Sequence, residues 1–364
     1  MALVSFRDVE KTFGSVKAVD GVSFTIEDGE FVCLLGPSGC GKTTTLRLIA
    51  GLEKPTAGRI DIGARDVTQL AAKDRDIGMV FQDYALYPHM TIAENIGYPL
   101  KVRNVPLPAR DARVAEVAEH LQIGNLLARR PGQISGGQQQ RTSVARAVVH
   151  QPQVFLFDEP LSNLDAKLRL EARSFLKHLQ REVGVTAVYV THDQAEAMAI
   201  ADRIAVMHEG RIVQMAPPLE VYRRPATTFV ASFLGSPPMN LLPFQVHDGA
   251  RPHLASDAVE VPLSASVAQA LVREMGEGGD VTVGIRPEHL RLVSSGGPGR
   301  VSGEPYAIET LGPESLVTLK VGGTLLTVRV FSDDPPEVDD VAHLAFDEAH
   351  LHFFRSSGER IERA

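Results

Sequence analysis

Residues Gly36 to Thr43 read GPSGCGKT. This is G-x-x-x-x-G-K-[ST], the pattern of a loop whose backbone amides cradle phosphate. Its glycines let the backbone curl so that N–H groups point inward at anionic oxygens. A helix opening directly behind the loop adds the favourable end of its dipole. The flanks suit that reading. EFVCLLG, residues 30–36, is a short apolar run that predicts a strand, and TTTLRLIAGL, residues 43–52, predicts a helix closed by Gly51. In this setting Lys42 can reach the β- and γ-phosphates of a nucleotide, and Thr43 can ligate magnesium. Chance alone produces the pattern in on the order of one chain in a hundred. The competing reading is a glycine-rich turn with an exposed lysine.

Farther along, VFLFDEP, residues 154–160, is a continuous apolar run that ends in Asp158 and Glu159. Such a run suits a strand buried on both faces of a parallel sheet. Two carboxylates at its end can divide the work: Asp158 holds magnesium and Glu159 polarises an attacking water. Taken alone, they could equally be a solvated acid pair. TAVYVTH, residues 186–192, is a second strand candidate and ends in His192. Ligands of open α/β sheets gather at the carboxyl ends of strands, so a γ-phosphate contact by His192 is geometrically reasonable, although lone histidines there are more often structural. Gln82, in MVFQDYALYP, also follows a strand candidate and can bind magnesium or water through its amide oxygen.

The run ISGGQQQR, residues 134–141, makes poor core, since six of its eight residues are Gly, Gln or Ser. A helix-like stretch, TSVARAVV, follows it. Ser135 is a good N-cap residue, but capping leaves Gly136, Gly137 and Gln138 unexplained.

These motifs lie in a stretch that alternates strand-like and helix-like segments, as an α/β domain should. PARDARVAEVAEHLQI (108–123) and LRLEARSFLKHLQREV (168–183) carry helical spacing, IGMVF (77–81) reads as a strand, and RIAVMHEGRIVQMA (203–216) reads as a hairpin about Glu209 and Gly210. Near GSPPMN, residues 235–240, the texture changes. Helical periodicity mostly disappears, and LVTLKV-GG-TLLTVRV gives a strong hairpin signal about Gly322 and Gly323. The expected division is therefore 1–235 and 236–364, the second part a small β-barrel-like domain. Of the net charge of −8 over 364 residues, the second part holds the acidic excess, which disfavours nucleic acid as a partner. No apolar run approaches the roughly 18 residues of a membrane span. The start, MALVSFRDVEK, lacks the basic and apolar regions of a secretory signal. The two cysteines, Cys33 and Cys40, form no metal-ligand pattern and no evident disulfide framework, which fits a reducing cytoplasm.

Together these motifs resemble the ATP-binding subunits of ABC transporters. GPSGCGKT is similar to their Walker A loop, VFLFDEP to Walker B, SNLDAKLR (162–169) to the D-loop, and ISGGQQQR to the LSGGQ signature with Ile134 in place of Leu. Gln82 matches the Q-loop and His192 the switch histidine. The resemblance implies an α/β P-loop NTPase cassette with a helical subdomain. It places ATP against Phe13, whose ring stacks on adenine, and against Ala18, Gly36, Pro37, Ser38, Gly39, Cys40, Gly41, Lys42, Thr43, Thr44 and Gln82. It assigns catalysis to Glu159, His192 and Lys42, and Mg2+ to Thr43, Gln82 and Asp158. Ser135, Gly136, Gly137 and Gln138 would meet the nucleotide of a second copy in a head-to-tail homodimer. From the residues alone, Phe13 could instead be a core ring.

FVASFLGSPPMNLL and VGIRPEHL are similar to the maltose/trehalose/glycerol-phosphate branch of importer ATPases, although many members carry Ser where this chain has Asp83. That branch implies an OB-like, TOBE-type regulatory domain at the C-terminus. It also implies integral membrane permease subunits, indirectly an extracytoplasmic solute-binding protein, and a peripheral place on the cytoplasmic face of the cell membrane. The segment YALYPHMTIAENIGYPL (84–100) would line a groove for a permease loop. Importers of polyamine, iron or sulfate, and a soluble ABC ATPase acting on nucleic acid, are the alternatives.

Overall fold

The computed structural model describes residues 2–362 apart from 257, 258, 298, 333, 335 and 337. The chain divides into two compact units, Met1–Leu219 and Glu220–Ala364.

The first unit begins with an antiparallel sheet. β1 (Val4–Phe13) and β2 (Val16–Ile26) pair with each other, and after β3 (Phe31–Leu35) and α1 (Lys42–Ala50) the chain adds β4 (Ala57–Ile62) and β5 (Arg65–Asp66) to that sheet, in the order β2-β1-β4-β5. Next come β6 (Ile77–Val80), α2 (Ile92–Val102), α3 (Leu107–His120) and α4 (Gly136–Val148). They are followed by β7 (Val154–Asp158), α5 (Ala166–Val183), β8 (Thr186–Thr191), α6 (Gln194–Ile200), β9 (Arg203–His208) and β10 (Arg211–Ala216). The second sheet runs β10-β9-β3-β8-β7-β6, and all of its pairs are parallel except β9 with β10.

Every residue of β3, β7 and β8 is buried. That is why these strands read as unbroken apolar runs: both faces of a parallel sheet are covered. Parallel register also brings all their carboxyl ends to one edge. The loops that follow β3, β7 and β8 therefore meet, and the candidate site is assembled there. The β9–β10 hairpin turns through Glu209 and Gly210, both with positive φ, as a two-residue turn of the twist-matched kind requires. α2, α3 and α4 pack on one another as a helical group.

The second unit is formed around strands. α7 (Pro218–Arg223) spans the boundary, and α8 (Thr228–Phe233) follows it. One sheet combines β11 (Asn240–His247), β12 (His253–Ala255), β13 (Glu260–Pro262), β14 (Asp280–Ile285), β20 (His352–Phe354) and β21 (Arg360–Ile361). The other combines β15 (Arg291–Val293), β16 (Arg300–Thr310), β17 (Glu314–Val321), β18 (Thr324–Phe331) and β19 (Ala342–Ala345). The β17–β18 hairpin turns at Gly322 and Gly323, as expected. A helix interrupts the strands: α9 (Ala265–Met275) places Ala268, Leu271, Val272 and Met275 against the barrel core. That spacing of three and four is helical, within a region where helical texture otherwise fades.

Candidate functional site

The loop after β3 is shaped by close approach. A Cβ on Gly36 would run into the Met207 carbonyl and the Cys40 sulfur, and one on Gly41 into the Ala18 carbonyl. Gly39 and Gly41 also hold left-handed backbones, with φ of 80° and 106°, which glycine adopts without a Cβ clash. Pro37 is half-buried, while Ser38 and Gly39 are exposed at the tip. Cys40 is buried, its thiol pushed up from the usual range by burial. Lys42 lies beneath the loop, buried, and donates from Nζ to the carbonyls of Gly36 at 2.7 Å and Pro37 at 2.9 Å.

The helix behind the loop opens differently from α2, α4 and α5. α2, α4 and α5 each have a side chain accepting from their first turn, namely Thr91, Ser135 and Asp165. α1 has none. The amides of Lys42, Thr43 and Thr44 are the first three of that helix and have no intrahelical acceptor. They form a ready anion site, and the residues present fit the phosphates of a nucleotide.

Thr43 Oγ1 stands 3.4 Å from Asp158 Oδ1 across the gap between the loop and the end of β7. Burial raises the Asp158 carboxyl, Glu159 adds to that, and Arg47 and Thr43 oppose it. A hydroxyl and a buried carboxylate at this distance suit a hard divalent cation, which takes oxygen ligands. Glu159 has a left-handed backbone, φ 45°, and its N–H is held by the Val190 carbonyl at 3.0 Å. This turn swings its carboxylate toward the end of β8, where His192 Nδ1 meets Oε2 at 3.1 Å. Nothing in the residue type of Glu159 announces that backbone.

Residues 19–162 match the family described as ABC transporter, residues 235–290 the MalK OB fold domain, and residues 283–354 the TOBE domain. The sulfoquinovosyl glycerol transport ATP-binding protein SmoE of Agrobacterium fabrum is 47% identical over 362 residues, 99% of each chain. The trehalose/maltose import ATP-binding protein MalK of Thermococcus litoralis is 49% identical over 381 residues, spanning 99% of this chain and all of its own. The sn-glycerol-3-phosphate import ATP-binding protein UgpC of Cereibacter sphaeroides is 47% identical over 363 residues, with the same coverage. This chain belongs to the ATP-binding subunits of ABC transporters. It is therefore an ATPase that binds nucleotide. Among solved structures, a dimeric post-hydrolysis state of the ATP-binding cassette MJ0796, bound to ADP and Pi, superposes with a TM-score of 0.53 at 33% identity. That match covers 59% of this chain and 98% of the other.

In this ABC cassette the signature run opens α4. Ser135 is its N-cap and accepts from the Gln138 amide at 3.4 Å, while the Gln138 side chain accepts from the Ser135 amide at 3.0 Å. This reciprocal capping box accounts for Gln138, which capping by Ser135 alone had left open. The two glycines stay without an internal reason. A Cβ on Gly136 would meet Leu164 at 3.6 Å, and one on Gly137 would meet Leu168 at 3.8 Å, both ordinary contact. Nothing in this chain's own packing demands that they lack side chains.

Gln82 follows β6, and its carbonyl accepts from Asn163 of the D-loop stretch at 2.9 Å. Phe13 ends β1 with 46% exposure and Lys11 Nζ 4.7 Å from its ring centre. It is not a core ring. Ala18 sits in β2, with its carbonyl against Gly41. A cavity of about 370 Å3 opens between β6, α2 and α4, and Ala85, Tyr87, Tyr98 and Pro99 of the 84–100 segment line it. Among the described residues no helix is long and apolar enough to cross a membrane.

Proposed function

We propose that this chain is the ATP-hydrolysing subunit of an importer for a carbohydrate or glycerol phosphate, working as a head-to-tail pair on two permease subunits. One observation carries the catalytic part: Lys42, Thr43, Asp158, Glu159 and His192 converge from the ends of β3, β7 and β8. The first-turn amides of α1 and the Lys42 ammonium hold the β- and γ-phosphates. Thr43, Asp158 and Gln82 hold Mg2+, which when bound neutralises phosphate oxygens. Glu159 orients the attacking water, and His192 steadies Glu159 and the γ-phosphate. Phe13 stacks on adenine.

The site is half-open in one chain, since Ser38 and Gly39 are exposed. Gly136 and Gly137 are free of internal constraint. Both features suit closure by a second copy, whose Ser135, Gly137 and Gln138 would approach the γ-phosphate. The 370 Å3 cavity suits a permease loop, which would hold the chain at the cytoplasmic face of the membrane. A separate solute-binding protein would deliver the cargo outside. The solute class rests on relatives named for trehalose/maltose, sn-glycerol-3-phosphate and sulfoquinovosyl glycerol.

The test is uptake of maltose, trehalose, sn-glycerol-3-phosphate and sulfoquinovosyl glycerol by cells with and without this chain, together with ATP hydrolysis by the purified full chain and its Lys42→Ala variant. Loss of uptake of one of these solutes and loss of hydrolysis in Lys42→Ala are expected. Undiminished uptake of all four would overturn the solute class. Equal hydrolysis by Lys42→Ala and the unaltered chain would overturn the site.

A further inference from the structure

Just beyond Gln82 the backbone does something costly. Tyr84 and Ala85 are consecutive non-glycine residues with left-handed backbones, φ 60° and 46°. L side chains avoid that region, and a pair of such residues persists only where its surroundings hold it. The hold comes from α4. Ser143 Oγ donates to the Tyr84 carbonyl at 2.9 Å. The Arg146 guanidinium donates from one nitrogen to the same carbonyl at 2.8 Å, and from another to the Ala85 carbonyl at 2.6 Å. From within the turn, Asp83 Oδ1 accepts the Ala85 amide at 3.2 Å. The guanidinium also lies over the Tyr87 ring, 5.7 Å from its centre.

Two observations tie this turn to Gln82 and to the signature run. Gln82 is pinned between anchors, Asn163 on its own carbonyl at 2.9 Å and the Ser143–Arg146 pair two residues on. In addition, the Tyr84 side chain runs back to the start of α4. Its hydroxyl is buried without a hydrogen-bond partner, about 4.0 Å from where a Cβ of Gly136 would stand. The turn thus grips α4 twice: by its carbonyls near the helix's end, and by its phenol beside the signature glycines.

We infer that Arg146 is a positioning residue for ATP hydrolysis: its fork on the Tyr84 and Ala85 carbonyls fixes the reach of the Gln82 side chain and ties that reach to the position of α4. The inference rests on the proposed role of Gln82 at the metal. Arg146 touches no reacting group. Its planar fork matters because it serves two successive carbonyls at once, whereas a lysine ammonium is a point donor without that geometry. Arg146 also lines the cavity proposed for the permease loop, so an occupant there would press on the same fork.

The experiment uses the full-length chain, with Arg146→Lys and Ser143→Ala as variants. It reads kcat, the ATP KM, the Mg2+ concentration for half-maximal hydrolysis, and thermal unfolding. Arg146→Lys is expected to lower kcat about ten- to a hundredfold, the scale of a small misplacement of a catalytic group. Its KM for ATP should stay within about twofold, since uniform binding is untouched. Its Mg2+ requirement should rise several-fold. Ser143→Ala should move kcat and Mg2+ in the same direction by less, because Arg146 still holds Tyr84. An Arg146→Lys protein with normal kcat and normal Mg2+ dependence overturns the inference. So does an activity loss that follows only the unfolded fraction, with Mg2+ dependence unchanged; Arg146 would then be a packing residue. If Arg146→Lys does not fold, Ser143→Ala decides, and unchanged kcat and Mg2+ dependence there overturns it. Failure of the nucleotide site itself shows separately, as Lys42→Ala hydrolysing ATP normally.

Discussion

His192 Nδ1 and Glu159 Oε2 lie 3.1 Å apart, reaching each other from the ends of the neighbouring strands β8 and β7. The contact exists because Glu159 takes a left-handed turn that its amide secures on Val190. An ordinary exposed pair of this kind adds at most about 1 kcal/mol, so its worth lies in aim rather than in stability. His192→Ala should lower kcat about 10²- to 10⁴-fold, the range of a lost acid–base partner, with ATP still bound. Glu159→Gln should likewise retain ATP without hydrolysing it. Filter binding and phosphate release on the same samples check both. A His192→Ala protein with normal phosphate release reduces the contact to a surface pair.

Gly136 and Gly137 separate two explanations of the signature run. Within this chain there is room for a methyl group at both positions, and both lie in the first turn of α4. Replacing glycine by alanine inside a helix gains roughly 0.5–1 kcal/mol per site. The double variant Gly136→Ala, Gly137→Ala should therefore unfold at the same or a higher temperature and yet hydrolyse ATP poorly, if a second copy's nucleotide must approach that backbone. Calorimetry and an ATPase assay read the two effects independently. Raised stability with full hydrolysis would leave the glycines without a composite role.

Most of the candidate site was legible in the sequence because its pieces are local. GPSGCGKT carries its own strand and helix, and β7 and β8 declare themselves as apolar runs because both of their faces are covered. What escaped reading depends on tertiary contact. The left-handed backbones of Glu159, Tyr84 and Ala85 are imposed by Val190, Ser143 and Arg146 from distant segments, and no local propensity favours them. Gln138 is the opposite case. S-x-x-Q at the start of ISGGQQQR is a capping-box spacing, and it is local to the sequence.

His150 supplies a pH dependence. Burial, aided by Arg103, pushes its imidazole down to about 4 from an ordinary 6.5, against the opposing influence of Asp76 and the Ile77 carbonyl. The ring is 3.3 Å from that carbonyl through Nε2, and its Nδ1 is buried without a partner. A lowered imidazole pKa means that the fold prefers the neutral ring. Its contribution is complete above about 6.5 and is lost as pH falls from there toward about 4. By pH 5 the loss should be on the order of 2 kcal/mol. Glutamine can still donate to the Ile77 carbonyl but does not titrate. Urea unfolding at pH 7.5 and 5.0 should therefore show a smaller drop for His150→Gln than for the unaltered chain. Equal drops would place the acid sensitivity elsewhere.

The last expectation concerns where the second unit begins. Texture in the sequence changes at 235–236, whereas the compact unit starts at Glu220. Arg286, 1% exposed at the end of β14, explains the difference. Its guanidinium donates to the carbonyls of Tyr222 at 2.8 Å and Ala231 at 3.2 Å, and also to that of Leu234, while lying over the Tyr222 ring. The Tyr222 hydroxyl donates in turn to Glu288 at 2.6 Å. α7 and α8 are thereby stapled to the barrel, and a further bond, Thr228 N–H to the Gly358 carbonyl at 2.8 Å, repeats the link. A chain of residues 218–364, which keeps α7 whole, should unfold in one cooperative thermal transition. A chain of 236–364 loses the three charge-assisted hydrogen bonds of Arg286, each worth about 1.5–3 kcal/mol, and uncovers Met239 and Phe354, against which Ala231 packs, and should melt far lower or not fold. Arg286→Ala in the longer chain should cost roughly 3 kcal/mol or more, because it strands buried carbonyls at about 1–3 kcal/mol each. Circular dichroism melts of the three proteins decide the point. If 236–364 is as stable as 218–364, the staple is incidental and the unit begins where the sequence texture changes.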